Sequence, residues 1–164
     1  MNQPSVKQIT VFLENEAKDS ILVVPYQNLS NSTETVWRLP TRSEECDMSE
    51  VTCVAEEIIL GYFKFDIEPE DLKVRPTGNS SVMVHNTKSN EELEKVFQAV
   101  NNGSESDYFF IYRECLELGH SNFDQEQLRI LNKLGLIRRK DERTVRRTNI
   151  QSIGRKKPIL SLVT

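Results

Sequence analysis

Apolar positions along the chain follow two periods. In "KQITVFLENE" (7–16) and "SILVVPYQNL" (20–29), β-branched and aromatic residues run together between polar breaks. They predict two strands paired across a short polar turn at Lys18-Asp19. "VWRLP" (36–40) predicts a short strand stopped by Pro40, and "TRSEECDMS" (41–49) reads as an acidic loop. The period then changes. Val51, Val54, Ala55, Ile58 and Tyr62 fall at i, i+3, i+4, i+7 and i+11, one stripe of a helix. Ser49 suits its N-cap and Glu50 its first turn, while Glu50, Cys53, Glu57 and Leu60 share a neighbouring face.

Further on, "DLKVRP" (71–76) and "SSVMVHN" (80–86) predict strands. "SNEELEKVFQAV" (89–100) predicts a helix, with Ser89 and Glu92 as a capping box and apolar spacing at Leu93, Val96, Phe97 and Val100. "DYFFIYRECLEL" (107–118) begins as a buried strand. "FDQEQLRILNKLG" (123–135) predicts a helix stopped at Gly135. The basic stretch after it and "PILSLVT" (158–164) read as final strands. Strands interleaved with helices predict one α/β (α+β) domain over 1–135, with 136–164 as a basic hairpin or strand extension packed on it. The expected core includes Phe12, Val23, Phe97 and Phe109 beside Val51, Val54, Ala55 and Ile58.

Composition adds limits. With 164 residues, 37% hydrophobic and 28% charged, the chain is long enough to bury a core, and its composition is that of a globular protein. No apolar run approaches the roughly 18 residues of a membrane helix, and "MNQPSVKQ" lacks the charged and apolar regions of a signal peptide. Cys46, Cys53 and Cys115 form no CxxC pair and predict reduced thiols in a cytoplasmic compartment. Cys115 and His120 find no further residues to complete a zinc site. The net charge of −4 hides an asymmetry: 138–157 carry nine Lys/Arg and two Asp/Glu, while 1–137 carry 12 basic and 23 acidic residues. The basic block predicts either an anionic partner or a clamp onto the chain's own acidic body.

The stretch "WRLPTRSEECDMSEVTCVAEEIILGYF" (37–63) resembles the loop and helix of the Nudix hydrolase family, whose box reads G-x5-E-x7-R-E-U-x-E-E-x-G-U after a W-x-L-P-G-G lead-in. Trp37, Leu39 and Pro40 match the lead-in, Glu45 the first box glutamate, and Ala55, Glu57 and Ile58 the helix when Glu56-Glu57 is laid on Arg-Glu. Gly61-Tyr62 resembles the closing pair after a two-residue deletion. The resemblance implies an α/β/α sandwich around a mixed sheet. It also implies a metal site of helix carboxylates, at the glutamate after the arginine and at positions three and four residues on, which side chains of one helix face can share. Here Thr41 and Arg42 replace the two lead-in glycines, Glu56 replaces the arginine, and Leu60 and Gly61 occupy the two further ligand positions. The expectation is therefore a degenerate box without a metal, leaving Glu45, Glu50, Glu56 and Glu57 as a solvated acidic face. A hydrolase of nucleoside diphosphate derivatives, the alternative, would need Mg²⁺. Glu50 and Glu57 lie two turns apart, about 10 Å, too far to share one ion without help.

A second resemblance lies at 128–150. "LRILNKLGLIRRKDERTVRRTNI", a helix followed by a basic strand, turn and strand, is similar to the recognition helix and wing of winged-helix DNA-binding domains. It implies phosphate contacts from Arg138, Arg139, Lys140, Arg143, Arg146 and Arg147, with Arg155, Lys156 and Lys157 extending the anion-binding set. The same residues also suit the charged edge of a hairpin. The expectations are thus a non-catalytic Nudix-like domain that binds a protein, nucleotide or nucleic acid, a divergent hydrolase, or a nucleic-acid-binding regulator. A homo-oligomer is open in each case.

Overall fold

The structure is a computed structural model that describes residues 5–27, 35–101, 108–120 and 122–140. Its strands are β1 (Ser5–Phe12), β2 (Ser20–Gln27), β3 (Thr35–Arg38), β4 (Thr41–Asp47), β5 (Leu72–Gly78), β6 (Ser81–Asn86) and β7 (Phe109–Tyr112). Its helices are α1 (Val51–Phe63), α2 (Glu91–Asn101), α3 (Arg113–Leu118) and α4 (Gln125–Leu134). A four-stranded mixed sheet has the order β4-β1-β6-β5, and a three-stranded antiparallel sheet the order β3-β2-β7. Within the mixed sheet only β1 and β6 run parallel, with Ile9 opposite Val82 and Val11 opposite Val84.

Strand alternation builds two cores. Ile9 and Val11 of β1, Leu22 and Val24 of β2, and Val82 and Val84 of β6 face one way, against α1 and α2. Their neighbours Phe12, Ile21, Val23 and Met83 face the other way, against α3 and α4. Helices therefore cover both faces of the sheets, as expected of an α/β domain. On α1 the buried stripe is Val51, Val54, Ala55, Ile58, Ile59 and Phe63. Tyr62 is 41% exposed instead of buried, and Phe63 is the buried residue of the last turn. Phe12, Val23 and Phe97 are buried as expected, whereas Phe109 is only partly buried and packs edge-on to Trp37 with centroids 4.9 Å apart.

Several expectations are corrected. The first two strands form a hairpin only at its tip, where Glu14 bridges Ile21 and Leu22 N–H donates to Leu13 O. They then diverge into different sheets, which lets β1 gain two partners and β2 gain two others. Residues 41–47 are a strand and not a loop, paired with β1 from Thr41 opposite Thr10 to Asp47 opposite Ser5. Ser49 does not cap α1; Met48–Glu50 form a 3-10 turn, with Glu50 Oε1 accepting from Asp47 N–H. The cap of α2 is Asn90, whose Oδ1 accepts from Leu93 N–H, while the Ser89 hydroxyl turns to Glu94. Gly135 ends α4 in the left-handed region at φ 76°, as its place in the sequence predicts. The expected strands beyond residue 140 lie outside the described residues.

Candidate functional site

Helix α1 lies against the mixed sheet with β4 at its flank, and the corner between them holds the residues that resemble the Nudix box. Trp37, which opens the lead-in, is buried on β3 and fixed by main-chain bonds from its N–H to Asn122 O and from Asp124 N–H to its own carbonyl, each 2.8 Å. Leu39 is held by a side chain acting as a strand. Its N–H donates to Gln127 Oε1 at 2.7 Å, and Gln127 Nε2 donates to Thr41 Oγ1 at 2.9 Å. Because the Leu39 N–H and the Thr41 hydroxyl, on either side of Pro40, are both anchored on Gln127, the chain turns from one sheet to the other at a fixed place.

The four glutamates of the expected acidic face do not converge. Glu45, on β4, accepts from the Ser5 hydroxyl. Glu50 closes the 3-10 turn on the Asp47 amide. Glu56 and Glu57 are neighbours on a helix and so point about 100° apart. Burial, followed by the nearby carboxylates of Asp66 and Glu68, raises the Glu56 pKa above the ordinary glutamate value. Glu57 turns to β4, where Arg42 Nη1 meets its Oε2 at 3.1 Å and lies 3.9 Å from Glu44. Leu60 is 49% exposed, and a Cβ on Gly61 would meet nothing within 4 Å. Among the described residues no group of three His, Cys, Asp or Glu side chains is placed to share a metal ion, and no helix is long and apolar enough to cross a membrane.

Between β4 and α1 opens a cleft of about 460 Å³, lined by Thr41, Arg42, Ser43, Ile58, Gly61 and Tyr62. Among the described residues its lining holds an arginine, three hydroxyls and apolar surface, and no carboxylate. This cleft is the feature that sequence reasoning missed, because it depends on 41–47 being a strand. The available signal was charge: charged residues such as Arg42, Glu44, Glu45 and Asp47 on an edge strand are how an exposed sheet edge resists aggregation. A smaller cleft, about 250 Å³, lies where β1 and β6 end, lined in part by Glu14, Lys18, Asn86 and Lys88. Asn86 is buried there, but Glu14 N–H, Glu14 O and Lys88 O occupy its amide.

Of the basic set, three residues are described. Lys140 Nζ binds Glu117 Oε1 at 3.1 Å, and the Glu117 side chain is only 7% exposed. The Arg139 guanidinium lies against Gly119, and the Arg139 backbone N–H donates to Asn132 Oδ1. Arg138 is exposed. Arg143, Arg146, Arg147, Arg155, Lys156 and Lys157 lie outside the described residues. Helix α4, which the winged-helix resemblance casts as a recognition helix, buries Gln127, Leu128 and Leu131, the two leucines in the second core. No protein-family model matches the chain, and no curated protein is significantly similar to it.

Proposed function

We propose that the chain is a non-catalytic, Nudix-like binding domain whose ligand seats in the cleft beside α1. The observation that carries this reading is the Arg42–Glu57 ion pair. Glu57 is the one helix carboxylate that the resemblance leaves at a ligand position, and an arginine standing in place of a lead-in glycine neutralises it. A divalent cation would have to displace that guanidinium and then bind a single carboxylate beside Leu60 and Gly61, far short of the six or more oxygens such ions take. Without the metal there is nothing to clamp a diphosphate or activate water. The strand order, with a parallel β1/β6 pair in a mixed sheet and helices on both faces, supports the α/β/α sandwich that the resemblance implies.

Purified protein incubated with a panel of nucleoside diphosphate derivatives and either Mg²⁺ or Mn²⁺ should release no product above the buffer rate. Turnover that is metal-dependent and disappears in Glu57→Gln would establish the hydrolase instead.

A further inference from the structure

We propose that the groove between the outer edge of β4 and the C-terminal half of α1 takes an extended, basic peptide segment of a partner protein, which adds a fifth strand to the mixed sheet. The proposal deepens the binding-domain reading and rests on it.

The sheet edges differ in what guards them. β5 carries Pro76 within its ladder, opposite Val82, and so lacks a donor there. β3 is covered through the main-chain bonds of Trp37 to Asn122 and Asp124, and β7 is four residues long. β4 is seven residues long, and among the described residues it pairs with β1 alone. Val11 N–H donates to Pro40 O at 2.9 Å, so that pair is hydrogen-bonded. Antiparallel alternation then makes Thr10/Thr41 and Gln8/Ser43 the non-bonded pairs, which turns the backbone N–H and C=O of Thr41 and Ser43 outward. Those two residues line the cleft.

The floor suits side chains of an added strand. Ile58 and Tyr62 supply apolar surface, and Gly61 leaves open space where any larger residue would stand. Leu60 and Tyr62 are two of the three large apolar side chains that remain exposed among the described residues. Edge backbone for affinity, with an adjoining pocket for alternate side chains, is what peptide addition to a sheet requires. Charge then selects the peptide. Glu44 and Glu57 flank Arg42 and engage it, and Glu44, Asp47 and Glu50 stand around Cys46, so four carboxylates border this edge against one arginine. Beyond burial, the carboxylates of Glu50, Glu44 and Asp47 push the Cys46 thiol pKa up, as expected of a negative field over this edge. Such a rim repels phosphates and acidic chains and attracts arginine and lysine.

The test uses fluorescein-labelled eight-residue peptides, one alternating Arg and Val and one alternating Glu and Val, titrated against the full chain by fluorescence polarisation. Saturable binding of the Arg/Val peptide alone is expected. A Cβ at Gly61 meets nothing within 4 Å, so Gly61→Trp puts its indole into the groove and should weaken binding at least tenfold with a melting temperature no lower than the parent's. Ser43→Pro removes an outward N–H and should weaken it similarly; if that variant unfolds, Gly61→Trp still decides. No binding, equal binding of the Glu/Val peptide, or binding indifferent to Gly61→Trp overturns the proposal. So does a dimer that excludes the peptide, which would give the groove to a second copy. Peptide failure leaves the absence of hydrolysis standing, and hydrolysis would sink the non-catalytic reading without touching the peptide result.

Discussion

Single side chains in this protein do structural work that their type does not announce. Gln127 is a helix residue by position, yet its amide bonds the Leu39 backbone and the Thr41 hydroxyl. Glu56 has the opposite character, a carboxyl that the fold disfavours in its charged form. Its pKa is raised first by burial and then by Asp66 and Glu68, so above the ordinary value of 4.5 the folded state holds the proton more tightly than the unfolded one. Stability from this group is full below that pH and is lost as pH rises through the raised pKa. Glu56→Gln should therefore melt higher than the parent at pH 7, with the gap closing as the pH falls toward 4. Thermal melts across that range measure it, and a gap independent of pH would contradict the assignment. Sequence spacing put Glu56 beside Glu57 but could not tell their surroundings apart, since Asp66 and Glu68 approach only once α1 has turned back.

Among elements, α1 was the most legible from its residues. Its apolar stripe is written at helical spacing, and all its predicted members are buried except Tyr62. Gly61 is the weakest helix former in α1. Its site offers open space, and no left-handed φ requires a glycine there. Gly61→Ala should stabilise the protein by about 0.5–1 kcal/mol, the ordinary difference between these residues inside a helix. Denaturant titration reads this directly, and a loss of stability would mean that the helix is strained at that turn. β4 was illegible for a physical reason. An edge strand needs no alternating apolar face, and its charged residues look like a loop when the partner strand lies more than thirty residues away. Likewise, β1 and β2 read as a hairpin because local spacing reports a turn, and nothing local says how far the pairing extends.

For the whole molecule, the uneven charge poses the main question. Lys140, at the start of the basic block, engages the nearly buried Glu117, and its own N–H bonds the Glu117 carbonyl at 2.9 Å. This favours the intramolecular clamp at that residue. Lys140→Ala leaves a buried carboxylate short of its charged partner and should cost on the order of 1–3 kcal/mol, with Glu117→Gln in the same chain recovering part of the loss. The nucleic-acid alternative makes a separate demand. Duplex binding should weaken with slope about −0.9 per phosphate contacted, and replacing Arg138, Arg139, Arg146 and Arg147 with Ala should flatten that slope. Polarisation titrations at 50 and 200 mM salt, beside thermal melts, distinguish the two, and no binding at 50 mM ends the second. The parallel pairing of β1 with β6 has a further consequence, in time and not in space. Gln8 to Phe12 must wait for Ser81 to His85 before the centre of the sheet can close, and contacts so distant in sequence slow a folding search. During synthesis β1 leaves the ribosome long before this partner exists, and one of its edges stays unpaired even after β4 and α1 have emerged. The nascent chain should therefore depend on chaperones more than the finished protein does.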